Sequence, residues 1–229
     1  MTFGRALWVL GGYFVGTLPS VLIVARARRA TALLSTARRD AGETDPHMIM
    51  WKQLGIVWTI VAATLDVVKG FVYLLIARHW GRQDTATLAL IGAAVVLGHS
   101  FPFYARDMAG RGLAAASGVF LVLLPVEMAI AGIIIVIGGA TRNTGLSSTI
   151  AMGSIPWVAA FQGQPRALVA MAAAIFALMM IRRVEGVGQV INSGVPASKA
   201  IWYRCVFDAN APAEARRDIH ALPREHSAQ

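Results

Sequence analysis

Polar residues along this chain gather between long apolar blocks. Runs of about 20 apolar residues, enough to cross a bilayer as a helix, occupy residues 6–25, 54–77 and 86–104. Two more fill 147–162 and 166–182, on either side of the turn Gly163-Gln164-Pro165. Between 86–104 and 147–162 lies 113–140, whose 28 residues are too many for one relaxed crossing and too few for two full ones. Pro125, near its middle, breaks a helix there. The pattern predicts an all-α, polytopic membrane helix bundle.

Charge decides how the ambiguous block is crossed. Arg26, Arg28, Arg29, Arg38, Arg39 and Lys52 crowd residues 26–52, and Arg182, Arg183, Arg204, Arg216 and Arg217 crowd the C-terminal end. The positive-inside rule assigns both regions to the cytoplasm. Both can lie there, with Arg142, only if 113–140 crosses twice as two short helices. The expectation is about seven transmembrane helices, with the N-terminus outside and the C-terminus cytoplasmic. They form a single transmembrane domain over 1–204. Residues 205–229, mixed in charge and rich in Ala, read as a poorly ordered cytoplasmic tail. Helices too short to reach both faces need protein or a water-filled cavity over their ends, which points to a cavity near Pro125.

Composition agrees with the pattern. Of 229 residues 56% are hydrophobic and 14% charged, with a mean hydropathy of +0.59, whereas a soluble domain carries about a quarter charged residues. Residues 6–25 do not read as a cleavable signal. The net charge of +9 lies mostly in the cytoplasmic loops, where it serves topology and attraction to anionic headgroups of membrane lipids. No nucleic-acid motif accompanies it, so no nucleic-acid partner is expected. Cys205 is the only cysteine, which excludes an internal disulfide framework and a cysteine zinc site.

With this topology the polar clusters share one side of the membrane. In "GTLPSVLIVARARR" (16–29) Thr17 can offer a hydroxyl, Pro19 bends the helix, and Arg26 follows. The same residues also suit a kinked helix with a basic cap. In "GHSFPFYARDMAGRGLA" (98–114) the amides of Ala109, Gly110, Arg111 and Gly112 lie at the start of a helix, a ready anion site. Arg111 there supplies a forked, charge-assisted partner, and Arg106 adds charge nearby. An interfacial loop whose arginines snorkel to headgroups fits equally. In "TRNTGLSST" (141–149) Ser147, Ser148 and Thr149 suit a helix cap, and Ser148 could also bind an oxyanion. Asp66 and Lys69, three apart in "LDVVKG", share a helix face and read as a structural ion pair. Anionic substrates entering from the cytoplasm are the inference common to these clusters.

These segments resemble the PlsY family of bacterial acyl-phosphate:glycerol-3-phosphate acyltransferases. "GTLPSVLIVAR" is similar to its GSIP-type segment, "LDVVKG" to its LDxxKG segment, and "GHSFPFYARDMAGRGLAAASG" to its GHxFPxFxxFKGGKGVATxxG segment. "TRNTGLSST" is a looser match to its serine-containing motif. The order of elements runs from residue 7 to about 195. Thr17 stands where the family has serine, Ala109 where it has glycine, Arg111 for its lysine and Met108 for its basic residue. "DPHMIMWKQLG" (45–55) occupies the place of a GSGNxGATN stretch. In "RRVEGVGQVINSGV" the family's His and Asn fall at about Arg183 and Gly186.

The resemblance implies a multi-pass protein of the bacterial inner membrane with a cytoplasmic active face. It implies transfer of an acyl group from acyl phosphate to the 1-hydroxyl of glycerol 3-phosphate, without metal or cofactor. Carried over by position, Thr17, Arg26, His99, Arg111 and Ser148 are the catalytic candidates, with His99 orienting the loop. Ala109, Gly110, Gly112 and Arg106 are the phosphate-binding ones. A non-catalytic lipid-binding or assembly protein is the alternative. The HxxxxD pair of another glycerolipid acyltransferase family is absent, since Asp107 lies eight residues after His99.

Reporter fusions test the topology directly. Fusions at Gly42 and at the C-terminus should report the cytoplasm, and one at Gln83 the outside. An external C-terminal reporter would restore a six-span arrangement.

Overall fold

The computed structural model describes residues 2–31, 45–104, 109–140, 144–185, 187–192 and 194–207, and all regular structure among them is helical. The first apolar run forms two helices, α1 (Phe3–Gly16) and α2 (Ser20–Ala27), bent by 44° at Thr17–Pro19. Pro19 has no amide proton to continue the ladder of α1. A short helix, α3 (Pro46–Leu54), follows; the Asp45 side chain accepts from the His47 amide and Pro46 takes the first position, a favoured helix start. Then come α4 (Ile56–His79), α5 (Thr85–Ser100), α6 (Leu113–Leu123), α7 (Pro125–Ala140), α8 (Thr144–Phe161) and α9 (Arg166–Val184). Two small helices, α10 (Val187–Asn192) and α11 (Ala197–Phe207), close the described chain.

Helices α4 and α9 are each long and apolar enough to cross a membrane. The others are shorter, and α6, with 11 residues, spans only about 16 Å at 1.5 Å per residue. The block 113–140 is two helices broken at Leu124–Pro125, as its length and proline suggest. Protein covers the break: Leu124 and Glu127 are buried, and Gln164, in the α8–α9 turn, donates to Glu127 at 3.0 Å.

Three boundaries differ from the sequence expectation. The third apolar run stops being helical at Ser100 rather than continuing to 104, because Phe101 precedes Pro102 and is biased out of the helical region. Helix α8 begins at Thr144, so Ser147, Ser148 and Thr149 lie in its first turns rather than capping it. Helix α11 runs to Phe207, taking residues 205–207 out of the expected tail; 208–229 lie outside the described residues.

Helix pairs in lipid gain little from the hydrophobic effect and rely on close packing, which small residues allow. A methyl added at Gly16 of α1 would collide with the Val95 carbonyl of α5, and one at Gly98 with the Tyr13 carbonyl. Gly118 of α6 meets the Val67 carbonyl of α4 in the same way. Around these contacts Ile91, Val95, Val119, Phe120, Met152, Ile155 and Ile175 form the buried core. Leu7, Leu10, Ile60, Val136, Ile137, Trp157 and Phe161 face outward, as a lipid-facing surface requires.

Gly98→Ala should overpack the α1–α5 contact and cost about 1–3 kcal/mol, read as a lower thermal midpoint in detergent. Gly139→Ala is the control: nothing lies within 4 Å of its added methyl, so it should keep the wild-type midpoint.

Candidate active site

The polar groups converge on Asp66, in the middle of α4 and 1% exposed. A carboxylate so buried needs several donors to offset its lost hydration. Ser20, the first residue after the Thr17–Pro19 bend, donates to Oδ1 at 2.7 Å. Lys69, one helical turn along α4, places Nζ 2.6 Å from the same oxygen. Its ammonium also donates to the Leu18 carbonyl at 2.9 Å, in the bend itself. His99 of α5 brings Nδ1 within 3.3 Å of Asp66 and 3.1 Å of Lys69 Nζ. From α3, His47 Nε2 lies 3.0 Å from Asp66 Oδ2. The Asp66–Lys69 pair is thus one edge of a network joining four helices.

Helix α3 carries two shifted groups. Burial favours the neutral form of both, but close opposite charges win. The Asp45 carboxyl is held down to about 2 by its hydrogen bond with His47 and by the Arg111 guanidinium. The His47 imidazole is raised to about 9 by Asp45 and Asp66. His47 is therefore a cation near neutrality, lodged between two carboxylates.

The glycine segment packs on the other side of His99. A methyl at Gly110 would run into the His99 ring, and the Gly110 amide donates to the His99 carbonyl at 3.3 Å. Gly112, with φ of +94°, starts α6 in the left-handed region, where a side chain is strained; Ser100, Met179 and Val96 crowd the same spot. Arg111 Nε lies 3.5 Å from Asp45 Oδ2. Two tyrosines tie the Phe101–Tyr104 stretch to α1: Tyr13 donates to the Phe101 carbonyl and Tyr104 to the Thr17 carbonyl, each at 2.9 Å.

The last turn of α9 supplies two adjacent arginines pointing different ways. Arg182 donates to the Ala109 carbonyl at 3.1 Å and the Gly110 carbonyl at 3.4 Å, stacks over Phe101 and pairs with Glu185. Arg183 donates to Ser148 Oγ at 2.7 Å, to Thr149 Oγ1, and to the Cys205 carbonyl at 3.0 Å. Tyr13, Ser100, Phe101, Pro102, Phe103, Ala109, Arg182 and Glu185 line a partly open cavity of about 380 Å³. Ser100 Oγ, buried at its edge, has no hydrogen-bond partner among the described residues. Among those residues no group of three or more His, Cys, Asp or Glu is arranged to hold a metal ion.

Segments from residue 13 to residue 185 thus meet at one end of the bundle, in a polar site with cations, hydroxyls and bare backbone. The model of the glycerol-3-phosphate acyltransferase family matches residues 6–193, which contain nearly all of it. The chain belongs to the glycerol-3-phosphate acyltransferase family. It is 28% identical over 196 residues to the glycerol-3-phosphate acyltransferase of Syntrophotalea carbinolica, covering 85% of this chain and 97% of the relative. With that of Geobacter sulfurreducens it shares 33% over 179 residues, covering 76% and 88%. Its fold is similar to the crystal structure of PlsY (YgiH), an integral membrane glycerol 3-phosphate acyltransferase, in its glycerol 3-phosphate form. That likeness has a TM-score of 0.69 and 25% identity, and covers 82% of this chain and 92% of that one.

Within this family member the residues singled out from sequence have distinct settings. His99, Ala109, Gly110, Arg111 and Gly112 sit together, beside Asp66 and Lys69. Ser148 is buried on Arg183, one residue from the arginine that clasps the glycine segment. Thr17 is buried, but its hydroxyl turns back to the Phe14 carbonyl at 2.7 Å, and Ser20 supplies the hydroxyl on Asp66. Arg26 is exposed on α2. Arg106 lies outside the described residues. Ser20, Asp45, His47 and Arg182 were missed from sequence. Asp45-Pro46 carried the signal of a helix start; Ser20 and Arg182 carried no such signal.

The raised His47 gives a pH signature. Its charge stabilises the fold fully below its ordinary value of 6.5, and that stability is lost as pH rises through about 9. The thermal midpoint in detergent should therefore fall over this window, by about 2–4 °C per kcal/mol lost. His47→Gln should start lower and show a flatter profile; an unchanged slope would remove His47 from the network.

Proposed function

We propose that this acyltransferase moves a fatty acyl group from acyl phosphate to the 1-hydroxyl of glycerol 3-phosphate, giving lysophosphatidate for phospholipid synthesis. One observation carries the reading. The Ala109–Gly112 backbone, bearing Arg111, is clasped between His99 and Arg182 beside a cavity of about 380 Å³. A glycine segment that leads into the positive N-terminal end of α6, with guanidinium groups beside it, suits a phosphate.

Acyl phosphate is a mixed anhydride and is already activated. The acceptor oxygen bonds to the acyl carbonyl carbon, the bond from that carbon to the phosphate oxygen breaks, and the departing phosphate takes the hydroxyl proton. No nucleophile or base from the protein is required. The protein's work is to hold two anions together, align the hydroxyl and stabilise the carbonyl oxyanion. In this scheme Arg111, Arg26 and Arg106 supply charge to phosphate, and Ala109, Gly110 and Gly112 supply backbone contact. Thr17, Ser148 and Ser100 offer hydroxyls. His99 orients the glycine segment, with Arg182 holding it from the other side. Asp66 and Lys69 secure the surrounding helices.

The proposed setting is the bacterial inner membrane, crossed seven times by a unit spanning 1–204, with the site facing the cytoplasm. Soluble glycerol 3-phosphate and membrane-borne acyl phosphate both reach that face. The basic residues of 26–52 and 182–204 support this orientation.

Purified protein in detergent, given acyl phosphate and labelled glycerol 3-phosphate, should form labelled lysophosphatidate, and acyl-CoA alone should not support the reaction. Gly110→Val should abolish turnover while the bundle stays folded by circular dichroism. Turnover with acyl-CoA alone would overturn the choice of donor. No product from acyl phosphate would leave a non-catalytic lipid-binding role.

A further inference from the structure

Arg111, the guanidinium assigned to substrate phosphate, faces a carboxylate of the protein's own. Asp45 Oδ2 lies 3.5 Å from Arg111 Nε, and the two side chains are only 15% and 12% exposed. The carboxylate is anchored. It caps α3 by accepting from the His47 amide at 2.9 Å, and the His47 ring reaches Asp66 at 3.0 Å. Asp45 is therefore fixed to the same hub that holds Lys69 and His99, rather than swinging on a loop. In this cluster the side chains of His47, Lys69 and Arg111 meet the carboxylates of Asp45 and Asp66.

We propose that Asp45 is a specificity-determining residue for the phosphate that Arg111 receives. It is a built-in anion that an incoming phosphate must displace from the guanidinium or share it with, so it sets the affinity of the site for a dianion. Repulsion built beside an attractive group is a common way to tune selection. The inference rests on the acyltransfer reading, in which Arg111 binds phosphate.

Charge and cap can be separated, because Asn and Ser cap a helix about as well as Asp. Asp45→Asn should lower both the KM and the directly measured Kd for labelled glycerol 3-phosphate, or the KM for acyl phosphate. The change should be on the order of tenfold, as expected of one like charge a few ångströms away in a partly buried site. Whichever substrate responds is the one whose phosphate Arg111 takes. Asp45→Ser should repeat the effect, and the gain from either substitution should shrink when Arg111 is alanine, because the competition for the guanidinium is then gone. Higher or unchanged values in folded Asp45→Asn and Asp45→Ser proteins overturn the proposal. Two failures are distinguishable: if Arg111→Ala leaves both substrates unaffected, the phosphate role of Arg111 falls first. If Arg111→Ala weakens binding while Asp45→Asn does not strengthen it, only the role given to Asp45 falls.

Discussion

A carboxylate buried in an apolar bundle must be compensated, and Asp66 is the group around which this structure is arranged. Left unpaired at that depth it would cost several kcal/mol after relaxation. Its partners come from four separate elements: Ser20 on α2, His47 on α3, Lys69 on its own helix and His99 on α5. The contacts of Ser20, His47 and His99 each fix the end of a helix relative to α4, and Lys69 ties α4 to the Leu18 carbonyl. The bend between α1 and α2 belongs to the same arrangement, since it exposes the Leu18 carbonyl to Lys69 and turns Ser20 toward the carboxylate.

Glycine does the complementary work of bringing backbones close enough for these short contacts. Gly16 and Gly98 let α1 lie against α5, and Gly118 lets α6 lie against α4. With α5 and α6 so held, the His99 ring packs on Gly110, and Gly112 leads into α6. Packing thus places the glycine segment, while the ion network stops it from sliding. Small residues without the network would leave the helix register free; the network without small residues could not form.

The end of α9 joins the two halves of the site. Adjacent helical residues project about 100° apart, so Arg182 reaches the glycine segment while Arg183 reaches Ser148 and the α11 backbone. Two motifs far apart in sequence become neighbours through one dipeptide. Arg204 adds a further tie, donating to the Glu185 carbonyl at 3.2 Å.

Much of this was legible in the chain itself. Block length marked the apolar helices, and Pro125 marked the break between α6 and α7, because side-chain hydration and missing amide protons act locally. Glycines before a helix marked the candidate anion site for the same reason. The partners of each polar side chain were not legible. Thr17 and Ser20 are both hydroxyl residues flanking one proline, and only the 44° bend decides that Ser20 reaches Asp66 while Thr17 bonds back to its own helix. Asp45 and His47 belong to a segment without motif, and α3 must pack on α4 before they meet Arg111 and Asp66. Sequence alone determines where the chain can bury itself, since that depends on each residue's own hydration and backbone freedom. Which buried charges neutralise one another was decided only by the tertiary structure, because Coulomb energy depends on distances between helices that no local pattern encodes.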